Sequence, residues 1–274
     1  MNLRKNILTS LCKNKMFKNF VISIFNKLET DNNEIVLSNI HFKNNRIKMN
    51  DGERQTIFCH NQSFLRVCRV QMKGIENSIE INENTQVYGE GTQTFYVDGS
   101  NNRIIIGKNC MIRNTTFFIK GSNNIIQLED NISSIGAEFH IEQNNNQLLI
   151  EKGTTFHGRE GYPIHIALDE GSKVLIHEDC MFSNGIQIRS TDSHSIVDLK
   201  GKRLNPAENI IIEKHCWIGL GCIILKGTHI AEHTVVAAGT VCTKRYKQGN
   251  VVLAGNPAKI VKQEIDWDRK FVSK

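Results

Sequence analysis

From Ile212 onward the sequence can be written in sixes, IEKHCW, IGLGCI, ILKGTH, IAEHTV, VAAGTV and CTKRYK, and nothing else in the chain restricts the fold so tightly. The first column holds Ile212, Ile218, Ile224, Ile230, Val236 and Cys242, all apolar. The fifth holds Cys216, Cys222, Thr228, Thr234 and Thr240, all small, before ending on Tyr246. An α-helix turns every 3.6 residues, so a strict period of six would carry its apolar position around the cylinder. Short strands joined by tight turns instead keep that side chain pointing inward at one height of a coil, and a small fifth residue lets strands meet at the corner. Such coils bury their faces only against one another, which makes a solenoid.

Looser copies lie upstream. GSNNRIIIGKNCMI (99–112), GSNNIIQLEDNI (121–132), QNNNQLLIEKGT (143–154) and EGSKVLIHEDCMF (170–182) share one pattern. Their anchors, Ile106, Leu128, Ile150 and Ile176, are 22, 22 and 26 residues apart, and Ile81 marks an earlier copy. Three sixes make a coil of 18, so the surplus is expected in corner loops, where Asn and Gly accept left-handed backbone angles. The spacing predicts an all-β solenoid over residues 34–256. Residues 1–33, with Leu3, Ile7, Leu11, Phe17, Phe20, Ile24 and Leu28 on a helical period, read as a basic amphipathic helix capping the open end, with peripheral membrane contact as the alternative. Residues 257–274 read as a tail whose EIDWDRKF packs across the other end or against a neighbour.

The 34 basic and 28 acidic residues leave a net charge of +6, with the excess at the two ends, which suits an anionic ligand such as a nucleotide phosphate or an acidic glycan. No nucleic-acid partner is expected. Eight cysteines show no CxxC or other metal-ligand spacing, and five of them occupy repeat positions, so they read as small core residues in a reducing compartment, and no metal is expected. Lysines interrupt any apolar run before residue 20, and no apolar stretch of about 18 residues follows. Neither a cleaved leader nor a membrane span is expected, and the setting implied is cytoplasmic, at most peripheral to the inner membrane.

The blocks HEDCMFSNGIQIRSTDSHSIVD (177–198), HCWIGLGCIILKGTHIAEHTVVAAGTVCTK (215–244) and VVLAGNPAKIVK (251–262) resemble the bacterial hexapeptide-repeat acetyltransferases, in particular the branch that O-acetylates capsule, lipopolysaccharide and other sugars. The resemblance implies a left-handed parallel β-helix, a hand that chain physics alone would not favour. It also implies acetyl-CoA as donor, a glycan acceptor and a homotrimer with active sites between subunits.

Acetyl transfer to a hydroxyl needs a base, donors for the oxyanion and a slot for the CoA arm. Of ten histidines, His194 sits where the register breaks and a loop over 194–211 leaves the coil. A histidine at this place is the family's catalytic base, and Asp192, Asp198 or a backbone carbonyl could orient it. Trp217, by resemblance, lies beside the active site, and Asn184 matches a position that helps hold the acceptor. Gly219, Ala237, Ala238 and Gly239 are small enough to let a pantetheine arm approach, with one of their amides available to the thioester oxygen. Lys244, Arg245, Lys259 and Lys262 are candidates for the nucleotide phosphates. The other histidines of the repeat are expected to face solvent or a neighbour. Two other readings stay open: an amino-sugar N-acetyltransferase or small-sugar acetyltransferase, and a non-enzymatic solenoid scaffold.

Overall fold

A computed structural model describes residues 26–272 except 31, 38–40 and 160. The expected amphipathic helix falls mainly on residues 1–25, outside the described residues. Where that expectation meets described chain it gives way to a strand. Lys27–Glu29 pairs in parallel with Arg46–Glu53, so the solenoid begins before residue 34. Leu28 alternates with charged neighbours, which suits a strand as well as a helix.

The described chain winds ten times through three parallel sheets, building a left-handed parallel β-helix. Sheet A runs from Lys27–Glu29 to Val241–Cys242, sheet B from Glu34–Leu37 to Arg245–Tyr246, and sheet C from His41–Lys43 to Val251–Ala254. The last strand, Lys259–Gln263, folds back antiparallel on Val251–Ala254. The first repeat column is fully buried, from Ile212 to Cys242, and the small fifth column from Cys216 to Thr240 is buried at the corners. The upstream anchors prove to be stacked register partners: Ile81, Ile106, Leu128, Ile150, Ile176 and Ile212 follow one another in sheet B. All seven described cysteines are unpaired and buried, and burial pushes the thiols of Cys59, Cys68 and Cys242 up to about 12.

In the 26-residue step the surplus forms a corner loop, as the spacing suggested, between Thr155–His157 and Ile164–Leu168, with an antiparallel bridge from Arg159 to Tyr162. In the 22-residue steps the surplus residues form no such loop. They lengthen sheet A, whose strands Thr116–Lys120 and Ala137–Glu142 have five and six residues against three in Ile223–Leu225. A longer strand satisfies its backbone in the ladder, which a flung-out loop cannot do. The wider lower prism holds two inward residues per rung, such as Phe117 and Ile119, and an aromatic column in which Phe95, Phe117, Phe139, Phe156 and Phe182 touch ring to ring at 4.8–5.7 Å.

The paired asparagines divide their work at the corner from sheet A to sheet B. The first of each pair, such as Asn101, Asn123 or Asn145, takes a left-handed φ of 57–63°. The second is buried and joins a ladder: Nδ2 of Asn102 donates to Asn77 Oδ1 at 3.0 Å, and the step repeats at 3.1 Å from Asn124 to Asn102 and from Asn146 to Asn124. Beside it stacks Gly99, where a Cβ would lie 1.9 Å from the Gly121 carbonyl oxygen. No larger residue fits there.

Candidate active site

The coil is interrupted once at length. After Gln187–Arg189 in sheet A the chain leaves at Ser190 and rejoins sheet B at Ile210–Ile212. The excursion is a short hairpin, bridged antiparallel between Val197 and Arg203, that exposes Ile196, Leu199 and Leu204. Its root is tied to the corner. Asn205, 7% exposed, donates from Nδ2 to the His194 carbonyl at 2.8 Å and to Asp192 Oδ2 at 2.7 Å, while its Oδ1 accepts the Ile196 N–H at 2.6 Å. Glu170 accepts from the Arg203 guanidinium at 2.6 Å and from the Thr191 hydroxyl at 3.2 Å. The Arg203 hydrogen bond holds the Glu170 carboxyl below the usual range.

His194 therefore has a fixed backbone and an exposed ring, which makes no hydrogen bond among the described residues. Neither candidate orienting carboxylate hydrogen-bonds to it. Asp192 pairs with Lys226 Nζ at 2.6 Å, and Lys226 and then Asn205 hold its pKa down. Asp198 accepts the Lys200 and Lys202 N–H groups, each at 2.9 Å, inside its own turn.

Trp217 lies elsewhere on the prism. It points outward from sheet C between Met181 and Val235, 38% exposed, with no hydrogen bond to its indole N–H among the described residues. From its strand the chain turns toward sheet A along an edge that also carries Asn184, Gly219, Ala237, Ala238 and Gly239. This edge fits a thin ligand in two respects. Asn184 Oδ1 is buried without a hydrogen-bond partner, a state that costs about 1–3 kcal/mol unless a donor arrives. A Cβ added to Gly239 would meet nothing within 4 Å, so this stretch opens to solvent. Gly219 is small for another reason: its own Cβ would lie 2.7 Å from the Val236 carbonyl oxygen. The amides separate as well. Those of Gly219, Ala237 and Gly239 donate to carbonyls of Val236, Leu253 and Leu220, which leaves the Ala238 N–H as the one of the four without a partner among the described residues.

Lys244, Arg245 and Lys259 line one open pocket at the end of the solenoid with Lys247, while Lys262 follows in the last strand. The structure thus gathers Trp217, Asn184 and the small residues on one edge and face, the cations at the end, and His194 with Asp192 on the edge between sheets A and B. A full strand of sheet B and its corner separate His194 from Trp217 in one chain. Two clusters, Glu138 with His140 and His165, and His215 with His233 and Asp266, bring potential donor atoms within 4.8 Å of one another. Ion pairs account for both, and neither is assigned as a metal centre.

Sequence reasoning missed the residues that brace the loop, Glu170, Arg203, Asn205 and Lys226. The Asn-Pro pair at 205–206 was a visible turn signal. It also misplaced the tail. Residues 264–272 run down the edge between sheets B and C of their own chain, because Trp267 stacks on His215 and Arg269 bonds to Asp179 and Thr155 there.

A parallel β-helix with a hexapeptide period, a register-breaking loop and an open small-residue edge defines a hexapeptide-repeat acyltransferase. Residues 209–244 match the family model for the hexapeptide repeat of succinyl-transferase. The polysialic acid O-acetyltransferase of Neisseria meningitidis is 37% identical over 200 residues, covering 73% of this chain and 89% of that protein. The polysialic acid O-acetyltransferase of Escherichia coli O1:K1 / APEC is 36% identical over 97 residues, covering 35% of this chain and 31% of that one. The crystal structure of the polysialic acid O-acetyltransferase OatWY superposes with a TM-score of 0.62 at 28% identity, covering 90% of this chain and 92% of that one. The chain belongs to the hexapeptide-repeat acetyltransferases and is an acyltransferase.

Proposed function

We propose that this protein transfers an acetyl group from acetyl-CoA directly to a hydroxyl of an acidic surface polysaccharide, with polysialic acid the acceptor to test first. The observation that carries this reading is the 37% identity to the Neisseria meningitidis polysialic acid O-acetyltransferase across most of both chains. The net charge of +6 fits a polyanionic acceptor.

In this reading His194 takes the proton from the sugar hydroxyl as its oxygen attacks the thioester carbon, and the imidazolium returns that proton to the CoA sulfur as the C–S bond of the tetrahedral intermediate breaks and CoA leaves as the free thiol. An imidazole suits that task because its ordinary pKa lies near neutrality. The Ala238 N–H is the donor for the oxygen that becomes negative in the tetrahedral intermediate. Trp217 and Asn184 shape the crevice, and the cations around Lys244, Arg245 and Lys259 meet the nucleotide phosphates. Because His194 and Trp217 stand on different parts of one prism, the complete site takes the loop of one subunit and the face of another in a homotrimer. The exposed Ile196, Leu199 and Leu204 on the hairpin are the apolar surface such a contact would cover. The compartment implied is the cytoplasm, where buried unpaired cysteines remain reduced.

The test is incubation with acetyl-CoA and a sialic acid polymer, followed by mass spectrometry of the glycan. Acetyl groups lost again under mild base identify O-esters and support the reading, whereas base-stable acetyl groups would assign an amide. Failure to modify any glycan, together with no thermal shift in millimolar CoA, would leave the scaffold reading. A bound ligand at a hundred times its Kd stabilises by about 2.7 kcal/mol, so binding is readily seen.

A further inference from the structure

The descending tail touches one corner per coil. The Ile265 N–H donates to the Asn250 carbonyl at 3.1 Å, Asp266 pairs with His233 at 3.2 Å, Trp267 covers His215, and Arg269 reaches the two coils below. Trp267 is fixed in three ways. Its indole N–H donates to the His215 carbonyl at 2.9 Å, its own carbonyl faces His215 Nε2 at 3.0 Å, and its ring stacks on the imidazole at 4.4 Å and 14°. The Arg269 guanidinium lies 5.5 Å from that ring. It is itself held by Asp179, the Thr155 hydroxyl and the carbonyls of Gly153 and Cys180 at 2.9–3.3 Å.

This anchored ring stands 6.0 Å from Trp217, at 47° to it. Above and below Trp217 in sheet C are only Val235 and the flexible Met181, neither of which restrains an outward indole on its flank. We propose that Trp267 is a positioning residue whose ring fixes Trp217 in one rotamer, so that the wall of the ligand crevice is formed before substrate arrives. The tail is then a built part of the site. The inference rests on Trp217 lining that crevice, as set out above. Ordering a large side chain during folding spares that cost at binding, so loss of Trp267 acts on KM more than on kcat.

Tryptophans 217 and 267 are the two in the chain, so any substitution of Trp267 leaves Trp217 as the sole indole emitter. Trp267→Phe keeps a ring in place and Trp267→Leu removes it. The leucine variant should show lower Trp217 fluorescence anisotropy and stronger acrylamide quenching than the phenylalanine variant. Its KM for at least one substrate should rise about tenfold with kcat within about threefold, and phenylalanine should restore most of the loss. Arg269→Ala, which keeps both tryptophans, should raise KM in the same direction and decides the matter if the leucine variant does not fold. Equal anisotropy and quenching in the two single-tryptophan proteins, or a lowered melting temperature with unchanged KM, would overturn the proposal. If the wild-type protein transfers no acetyl group, the proposed function fails, while the fluorescence pair still decides whether Trp267 orients Trp217.

Discussion

The Asn205 side-chain amide donates to the His194 carbonyl at 2.8 Å and to Asp192 at 2.7 Å, so one buried amide sets the backbone that carries the proposed base. Replacing Asn205 with alanine frees the loop root while leaving the imidazole in place. Turnover should fall about ten- to hundredfold through misplacement of the base. CoA binding, read by thermal shift, should not change. Loss of both together would mean that Asn205 supports the whole corner and has no particular bearing on the base.

His194→Ala removes the base and nothing that holds the loop, since its ring bonds to no described residue. Turnover should drop by roughly two to four powers of ten, with CoA binding and oligomeric state retained. Steady-state kinetics beside a CoA titration check this. Undiminished turnover would dismiss His194 from the reaction.

The Ala238 N–H can be deleted without enlarging the site. Thr240 N–H donates back to the Ala237 carbonyl at 3.3 Å, and Gly239 has φ of 70°, which makes residues 237–240 a type II turn with Ala238 in its second place. Proline is favoured there, so Ala238→Pro removes a hydrogen-bond donor and keeps the backbone. Turnover should fall about a hundred- to a thousandfold at little change in melting temperature, the usual cost of one oxyanion donor. A fully active proline variant would move that role to another group.

These predictions draw unequally on what the sequence displayed. The inward columns were legible because a six-residue period fixes which side chains share a height, and Ile212 to Cys242 are buried as that period requires. The anchors from Ile81 to Ile176 were legible for the same reason, even at irregular spacing. Partnerships between distant side chains leave no period. Asp192 with Lys226, Glu170 with Arg203, and Trp267 with His215 depend on which corners stack, and the sequence does not print that. The asparagines misled for a chemical reason. One residue type does two jobs in adjacent positions, turning the chain at Asn123 and bonding inside it at Asn124, and composition shows only the first.

The ladder gives a stability prediction. Asn124 Nδ2 donates to Asn102 Oδ1 and to the Gln143 carbonyl, while its Oδ1 accepts from Asn146 N–H and Nδ2 at 2.9 and 3.1 Å. Asn124→Ala strands these groups in a buried corner and should cost about 2–4 kcal/mol. Asn124→Asp should cost more, because it sets a carboxylate oxygen against the acceptors that Nδ2 now serves. Urea midpoints rank the two variants, and the opposite order would mean that water enters the corner.

The tail should loosen as pH rises. Burial draws the His215 pKa down, but the Asp179 carboxylate at 2.6 Å, the Trp267 carbonyl and the nearby Asp266 charge outweigh it and leave it above the ordinary value of 6.5. Protonated His215 donates from both nitrogens, to Asp179 and to the Trp267 carbonyl, whereas the neutral ring donates from one. A folded-state pKa above the unfolded one gives stability that is present below the unfolded value and lost as pH rises through the folded one. His233 and Arg269 also face this cluster, through Asp266 and Asp179. Asp266 works in the opposite sense. Burial raises its pKa, but the Trp267 N–H and His233 more than compensate, so its share is lost only as pH falls through the acid range. The tail is therefore tightest between the carboxylate range and near-neutral pH. Acrylamide quenching of the two tryptophans should increase between about pH 6 and pH 9 in the wild-type protein. His215→Gln should flatten that rise and show the looser value throughout. A rise that persists undiminished in the glutamine variant would place the titrating group outside the cluster.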